Sequence, residues 1–536
     1  MPSSVTVYTS KQRDYWRWTV FNLLLLGFLA AWYFYQNRPV MLAEPQLQDG
    51  KLQCVSYAPY YQKGRSPFTP LTITSKDQID QDLALLAKRF NCVRTYSVDQ
   101  GLDYVPEAAS KLGLKVLLGA WIGWTKVDNM RELNLAIERA NQFPDTVQGL
   151  VVGNEVLLRR EQTMPAMQAY IDYAQQHTEV PITYADVWEF WLKNRDLEPS
   201  VDFVTVHILP YWEDIPRSID DADGHVKIIM HKLKNIFSKP LLIGETGWPS
   251  TGRQRGAAVP SQVNQARYFR EFVKNAHDEG WNYNLIEAMD QPWKRVLEGT
   301  VGGHWGLYSS TLEPKFDFSG PVAERRDGWT PLWFSLGGMV VFGALIMRLG
   351  EQRKSLLYGI LSLGALAGAM LPLQFSYLLT APRDAIEWIA LGGTLVIGEI
   401  VLLSMPFVLK GNEKPSGNAL RARRLLQASL LMLVAGAALA SFLLATDGRY
   451  RDSPLALFLL PVLQLSLGLR LLHIQLQHNW KRLFYWLAAI ACGTAIVCIL
   501  LEPNNVQAII WAGFTALLAY AAGIRARSTM TIKKTV

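Results

Sequence analysis

Cysteine is scarce in this sequence, and nucleotide-binding motifs are missing from it. The 536 residues include four cysteines, and none of them belongs to a C-x-x-C pair or to another zinc-like spacing. No G-x-G-x-x-G or G-x-x-x-x-G-K-S/T run follows a predicted strand, so a nucleotide-binding enzyme has no support. Cys54 and Cys92 fall in predicted neighbouring strands, where a disulfide and two buried thiols are equally compatible with the sequence.

The positive charge of the chain has the distribution of a membrane protein. The formal net charge is +7, and the excess of Lys and Arg gathers in short segments between apolar runs. A nucleic-acid-binding domain would instead carry a basic patch on a folded surface. We therefore expect no nucleic acid among the partners.

Long apolar runs occupy the N-terminus and the C-terminal part of the chain. The run 18–35 follows a basic segment, 1–17, and ends in an aromatic cluster, which predicts an uncleaved transmembrane signal anchor. The region 330–524 is predicted to be an all-α transmembrane bundle of seven spans. These spans lie near residues 330–349, 356–379, 385–409, 425–445, 454–475, 483–501 and 505–524.

Alternate loops between these spans differ in their content of basic residues. One set, which includes both termini, holds 18 Lys and Arg residues, whereas the other short loops hold only Arg383, Arg449 and Arg451. The positive-inside rule assigns the first set, with the basic tail 525–536, to the cytoplasm. The segment 45–328 is then expected on the outer side of the inner (plasma) membrane, facing the periplasm in a Gram-negative bacterium.

Strand-like and helical patterns alternate through the segment 45–328. Helical periodicity between the strands is clear, for example, in Ile79–Phe90 and Gln262–Glu279. Eight such units predict a parallel, closed (β/α)₈ barrel, the TIM barrel of the α/β class. The predicted strands are Leu52–Tyr60, Cys92–Tyr96, Lys115–Ile122, Val147–Glu155, Pro181–Trp188, Asp202–Pro210, Pro240–Trp248 and Tyr283–Asp290.

Two glutamates stand at predicted strand ends. Glu155 ends the fourth strand, after Asn154, and Glu245 lies near the end of the seventh. Side chains at the carboxyl ends of barrel strands meet at one mouth, and cleavage of a glycosidic bond requires a pair of carboxyl groups there. Asn154 is placed to bind a sugar 2-hydroxyl, and Tyr211 is placed to orient Glu245. Aromatic rings for sugar stacking are offered by nine tryptophans, at positions 121, 124, 188, 191, 212, 248, 281, 293 and 305.

These residues resemble glycoside hydrolase family 17, the β-1,3-glucanase family, over most of 52–318. The Gly-Glu-Thr-Gly-Trp-Pro run is the most specific part of the resemblance. The similar segments are Val93–Tyr96, Gly153–Glu155, Leu242–Ser250, Glu287–Lys294 and Gly303–Leu307. The chain departs from the family at His207–Tyr211, where the usual His-Pro-Tyr contains an insertion. Its membrane-anchored arrangement looks like that of proteobacterial members, some of which build or remodel β-glucans by glucanosyl transfer.

The resemblance implies a retaining, double-displacement reaction on a β-glucan without a metal or another cofactor. Glu155 would be the acid/base and Glu245 the nucleophile, about 5–5.5 Å apart. His207 would pack or hydrogen-bond near the site rather than bind a metal. The residues expected to bind substrate are Asn154, Tyr96, Tyr211, Trp248, Glu287 and Lys294.

Several alternatives stay open at this level. The acceptor in the second step can be water, giving a hydrolase, or a sugar, giving a transglycosylase that remodels or branches nascent glucan. A membrane polysaccharide synthase component would need a cytoplasmic catalytic domain, and a non-catalytic glucan binder would not need both glutamates. The bundle itself is expected to contact the lipid bilayer, with a polysaccharide synthase considered as a further partner. Glu399, near the centre of the predicted span 385–409 (the fourth when the N-terminal anchor is counted), marks either a function or a polar contact within the bundle.

Overall fold

The structure, a computed structural model, describes residues 8–47, 49–69, 72–350, 352–411, 416–471 and 481–528. Three of the basic residues counted above, Lys414, Lys533 and Lys534, lie outside these ranges. So do the last part of the basic tail, from 529, and residues 472–475 of the sixth predicted span. The described chain divides into two compact units. One consists of residues 40–252 and 256–322, and the other of 1–39, 253–255 and 323–536.

Eight parallel strands close into a barrel in chain order, which confirms the predicted fold class. The strands are β1 Leu52–Ser56, β2 Phe90–Arg94, β3 Lys115–Ala120, β4 Val147–Asn154, β5 Ile182–Val187, β6 Val204–His207, β7 Leu241–Thr246 and β8 Asn282–Leu285. Closure is made by β8 beside β1, with Val55 opposite Leu285. The strands end one to five residues before the predicted limits, because the chain leaves the ladder at the carboxyl ends to form the loops of the barrel mouth.

Helices cover the outside of the barrel. They are α2 Lys76–Leu86, α3 Val105–Lys111, α4 Lys126–Gln142, α5 Met164–Gln175, α6 Trp188–Lys193, α7 Ile219–Lys234, α8 Gln262–Glu279 and α9 Arg295–Glu298. The first helix of the chain, α1 Tyr8–Asn37, belongs to the second unit. Serine side chains cap three of them: Ser75, Ser218 and Ser261 accept a backbone N–H from the first turns of α2, α7 and α8. The longer helices pack an apolar stripe on the strands, as Ile79, Leu83 and Leu86 of α2 illustrate.

A disulfide links the first two strands of the barrel. Cys54 and Cys92 are directly opposite in the parallel ladder, and their sulfurs are bonded. The bond joins chain positions 38 residues apart. Of the two states that the sequence leaves open, the structure shows the disulfide. Disulfides are common in proteins outside the cytoplasm.

The second unit is helical. Besides α1 it contains α10 Thr330–Arg348, α11 Lys354–Thr380, α12 Ala385–Lys410, α13 Gly417–Thr446, α14 Leu455–Leu463, α15 Leu469–Leu471, α16 Lys481–Leu501 and α17 Val506–Ser528. Within the described residues, six helices are long and apolar enough to cross a membrane, and they fall on six of the eight predicted spans. The apolar helices at Leu455–Leu471 and Val506–Ala521 are shorter.

Candidate active site

Arg94, the last residue of β2, is the buried cation around which the barrel mouth is built. Its side chain is 1% exposed. The guanidinium donates to the carbonyl oxygen of Gly244 at 2.7 Å, to Glu245 Oε1 at 3.2 Å and to Asn154 Oδ1. Because a guanidinium only donates, it fixes the amide of Asn154 with its oxygen toward Arg94 and its NH₂ turned away. Arg94 therefore joins the ends of β2, β4 and β7.

Glu245 is held by hydrogen-bond donors in a nearly closed environment. Its side chain is 7% exposed, and Tyr96 Oη donates to Oε1 at 2.8 Å. Burial, together with the charge of Glu245, raises the pKa of Tyr96 well above its usual value, so this hydroxyl keeps its proton and remains a donor. Arg94 and Tyr96 together orient the carboxyl group of Glu245 by hydrogen bonds to the same oxygen.

Glycine before Glu245 is required by packing. A Cβ added to Gly244 would lie 2.3 Å from Thr205 Cγ2 and 3.2 Å from His207 Cδ2. Both neighbours belong to β6, so the adjacent strand leaves no room for a side chain. The glycine of the Gly-Glu pair in the sequence motif therefore allows the backbone of β7 to approach the side chains of β6 closely.

Glu155 follows β4 in an unusual backbone conformation. Its φ is +51°, in the left-handed region, which costs a residue with a side chain on the order of 1–2 kcal/mol. Its N–H donates to the carbonyl oxygen of Ala185 at 2.8 Å, which holds the turn. The Glu155 side chain is 23% exposed and is thus more open to solvent than Glu245.

His207, the last residue of β6, lies between the two glutamates. Its Nδ1 is 3.0 Å from Glu155 Oε1, and its Nε2 is 3.7 Å from Glu245 Oε1. Arg94 Nη1 faces Nε2 at 3.5 Å. A donor-only cation next to Nε2 favours the tautomer in which Nε2 is bare and Nδ1–H donates to Glu155. One oxygen of each glutamate and the imidazole all lie within 4.8 Å of one another.

The pKa of Glu155 reflects this contact. Burial raises it, but the hydrogen bond from His207, with the charges of Arg159 and Arg94, outweighs burial, and the pKa lies below its usual value. Asp186, behind Glu155, responds differently. Burial raises the pKa of Asp186 to about 6, and its carboxylate is hydrogen-bonded by Tyr184 and by the N–H of Val187.

The same three residues are the one group in the described part of the chain with the spacing of metal ligands. The sequence alone indicates no such cluster, because its members come from three separate strand ends. Arg94 bears directly on what the group can hold. Its guanidinium contacts Glu245 and faces His207, so a fixed positive charge already stands where a bound cation would be repelled. The charge pattern favours proton transfer between these residues over metal binding.

Glu287 and Lys294 form a buried ion pair after β8. Lys294 Nζ is 3.0 and 2.9 Å from the two carboxylate oxygens of Glu287, whose side chain is 1% exposed. Burial raises the pKa of Glu287 to about 7, although Lys294 lowers it. Burial alone would lower the pKa of Lys294, but the carboxylates of Glu287 and Glu298 outweigh it, and the pKa is raised.

The aromatic residues divide between the core and the surface. Tyr211 and Trp248 are fully buried, and Trp248 Nε1 donates to the carbonyl oxygen of Val259, so the ring of Trp248 supports the site from below rather than offering a face to a sugar. Tyr211 packs edge-on against Trp248 and Trp305. Among the tryptophans of the barrel unit, the most exposed are Trp124, at 71%, and Trp121, at 37%.

The structure brings together Glu155, Glu245, Asn154 and Tyr96, as the sequence predicts. Tyr96 donates a hydrogen bond from its aromatic hydroxyl to Glu245. The sequence predicts no role for Arg94, and for His207 it predicts packing or hydrogen bonding near the site. A charged residue inside the predicted buried strand Cys92–Tyr96 is the signal that could have identified Arg94.

Comparison with known proteins gives one family and several fungal relatives. Residues 54–306 match the model of the BtgE/BtgC glycoside hydrolase domain. A glucan 1,3-beta-glucosidase of Arthroderma benhamiae is 30% identical over 276 residues, which are 47% of this chain and 88% of that protein. A "probable beta-glucosidase btgE" of Aspergillus flavus is 28% identical over 272 residues, 49% of this chain but only 43% of the relative. Among solved structures, a mutant of the Rhizomucor miehei beta-1,3-glucanosyltransferase in complex with laminaritriose has a TM-score of 0.44 at 22% identity. That alignment covers 51% of this chain and 98% of the other.

Proposed function

We propose that this chain, which belongs to the family of BtgE/BtgC glycoside hydrolase domains, cleaves β-1,3-glucosidic bonds of a β-glucan with retention of configuration. Glu245 is the nucleophile and Glu155 the acid/base. The names of the fungal relatives support the choice of linkage, and the site supports the mechanism.

The observation that carries the proposal is the separation of the two carboxyl groups. An oxygen of Glu155 and an oxygen of Glu245 lie within 4.8 Å. Retaining glycosidases hold their carboxyl groups about 5–5.5 Å apart, whereas inverting enzymes need about 6.5–9.5 Å to admit a water molecule. The short separation therefore supports direct attack by one carboxylate on the sugar.

The surroundings of each glutamate support the division of roles. Glu245 receives hydrogen bonds from Arg94 and Tyr96, which hold its carboxyl group in one orientation for attack as a nucleophile. Glu155 has the more exposed side chain, and a bound sugar would displace water from it. Loss of that water favours the protonated form, in which Glu155 acts as an acid.

In the first step, a carboxylate oxygen of Glu245 bonds to the anomeric carbon. The bond between that carbon and the leaving oxygen breaks, and Glu155 transfers its proton to that oxygen. The products are a glucan with a free hydroxyl and a glycosyl ester of Glu245. The side-chain NH₂ of Asn154, directed away from Arg94, is available to the sugar 2-hydroxyl, an interaction that strengthens in such transition states.

In the second step, Glu155 is a carboxylate and accepts a proton from the incoming hydroxyl group. The oxygen of that hydroxyl bonds to the anomeric carbon, and the ester of Glu245 breaks. His207 donates through Nδ1–H to Glu155 and stabilises the carboxylate at this stage. Water as the acceptor gives hydrolysis, and a sugar hydroxyl gives transglycosylation, the second activity that this mechanism permits.

The same proposal assigns the protein to the inner membrane, with the barrel facing the periplasm. Six long apolar helices support membrane insertion, and the unequal basic content of alternate loops supports this orientation. The Cys54–Cys92 disulfide is in keeping with an oxidising compartment. A polysaccharide synthase in the same membrane would be a suitable source of the glucan.

The test is to incubate the detergent-solubilised full chain with a linear β-1,3-gluco-oligosaccharide and to size the products by mass spectrometry. Glu245→Gln, which keeps the shape of the side chain but not its nucleophile, is the matched control. Products that are only shorter than the substrate identify a hydrolase. Products both shorter and longer identify a transglycosylase, and linkage analysis of the longer ones tells whether it extends or branches. No products from the unaltered chain would contradict the assigned linkage.

A further inference from the structure

A groove with a single carboxyl group lies in the helical unit. It has a volume of about 420 Å³ and is formed by α10, α11 and α12. Its walls are apolar and its one ionisable residue is Glu399. Trp333 and Val341 on its rim are 68% and 60% exposed, so the groove opens to the outside of the bundle.

The groove lies at the middle of the proposed membrane. Glu399 stands 14 residues after the start of Ala385–Lys410 and 11 residues before its end. At about 1.5 Å per residue, both ends of the helix are therefore roughly 15–20 Å away. Gly337 and Leu371, which line the same groove, are also interior residues of their helices. Lipid headgroups lie about 15 Å from the centre of a bilayer, so they do not reach this carboxyl group.

Glu399 has no hydrogen bond or ion pair within the part of the bundle that the structure describes. Over the ranges that the structure describes, no side chain or backbone group donates a hydrogen bond to Glu399 or forms an ion pair with it. A carboxyl group at this depth is costly unless it has a partner. A molecule that brings a hydrogen-bond donor into the hydrocarbon layer would supply such a partner.

A second copy of this chain is a poor candidate for that partner. The Lys and Arg residues of the six long helices all lie within about two turns of a helix end, and none is near a helix centre. A transmembrane helix of a different protein, with its own basic residue near its middle, has the complementary charge at the matching depth.

We propose that this groove is the docking site for a transmembrane helix of another protein that carries a lysine or arginine near its centre. The inference rests on the membrane placement proposed above but not on the reaction at the barrel mouth. Glu399 pairs with the basic side chain, and the apolar walls contact the rest of that helix. The docked helix would tether the glucan-cleaving enzyme to a membrane partner.

The groove can be blocked without removing the carboxyl group. An added Cβ at Gly337 has no heavy atom within 4 Å, so a larger side chain there would enter the groove without disturbing the packing of α10. Gly393, on α12, also has no heavy atom within 4 Å and does not line the groove. Gly337→Leu and Gly393→Leu are therefore a matched pair of test and control.

The experiment uses the full chain reconstituted in phosphatidylcholine–phosphatidylglycerol vesicles. The probe is a synthetic leucine-rich helix of about 20 residues with one central lysine and a photoreactive leucine beside it. After irradiation, adducts are quantified and mapped by mass spectrometry. We expect about tenfold more adduct on the groove residues than with a helix that has leucine in place of the lysine. Glu399→Leu and Gly337→Leu should both abolish this excess, and Gly393→Leu should retain it.

Three results would overturn the proposal. Equal adducts with the lysine and leucine helices would mean that lipid or any apolar helix fills the groove. A cross-linked dimer of the chain that disappears in Glu399→Leu would identify a second copy as the occupant. Release of the chain from vesicles by alkali would contradict the membrane placement itself. The enzyme assay does not depend on the groove, so its result is independent of this one.

Discussion

Replacing Glu132 by glutamine perturbs a buried carboxyl group close to the barrel mouth. Glu132 lies on α4 and is 3% exposed. Its Oε1 accepts hydrogen bonds from Ser97 Oγ at 2.6 Å and from the N–H of Val98 at 2.9 Å. These contacts hold the loop that follows β2, just beyond Tyr96. A glutamine can keep the same acceptor atom but cannot ionise.

The size of the effect follows from the pKa of Glu132. Burial raises this pKa from 4.5 to about 7. Between these two values the folded chain retains a proton that the unfolded chain has lost, so the free energy of unfolding of the unaltered protein falls as the pH rises through this window. A difference of about 2.5 pKa units corresponds to about 3 kcal/mol as an upper limit. The free energy of unfolding of the glutamine variant should not fall in this way, because glutamine does not ionise.

Urea unfolding of the full chain, followed by tryptophan fluorescence at several pH values between 4 and 9, measures the difference. Relative to the unaltered chain, Glu132→Gln should become more stable by up to about 3 kcal/mol between pH 4.5 and 7, and the difference should then level off. Glu138→Gln, on the same helix but with a side chain that is 67% exposed, is the control and should show little change. A difference for Glu132→Gln that does not vary with pH would refute the reasoning.

Three further changes test the mouth and the frame of the barrel. His207→Leu removes the contact that lowers the pKa of Glu155, so the alkaline limb of the kcat/KM profile should move to higher pH, and an unmoved limb would contradict the contact. Gly244→Ala introduces an overlap with β6 and should lower the free energy of unfolding by about 1–3 kcal/mol. Thermal denaturation followed by near-ultraviolet circular dichroism would detect it as a lower Tm. The double change Cys54→Ser with Cys92→Ser opens a loop of 38 residues and should cost about 3–4 kcal/mol in urea unfolding, whereas an unchanged midpoint would argue against the bond.

The fold could be predicted because its periodicity is local. Each strand reads as a short apolar run and each following helix as an amphipathic one, so eight repeats identify a closed parallel barrel without tertiary information. Strand ends are less predictable, because hydrophobicity continues past the last ladder hydrogen bond. The fourth strand ends at Asn154, since Glu155 turns into the left-handed region, and no feature of composition marks that change.

The two glutamates could be predicted for the same topological reason, but the orientation of aromatic residues could not. Trp124 and Trp248 each lie a few residues beyond the end of a strand, yet one is 71% exposed and the other is fully buried. The difference comes from the path of the following loop, which depends on contacts between distant segments. A sugar-stacking role assigned from position alone is therefore reliable only when the exposure of the ring is known.

The contacts between strand ends were the least predictable part of the site, and they decide its chemistry. A histidine between two carboxylates would ordinarily indicate a metal centre. Here Arg94, from a different strand, supplies the positive charge, and it faces Nε2 of His207 while contacting Glu245. The bare Nε2 leaves the single imidazole proton on Nδ1, where it is donated to Glu155. Because one guanidinium both donates a hydrogen bond to Glu245 and directs the proton of His207 to Glu155, the two carboxyl groups acquire different environments, which a division between nucleophile and acid/base requires.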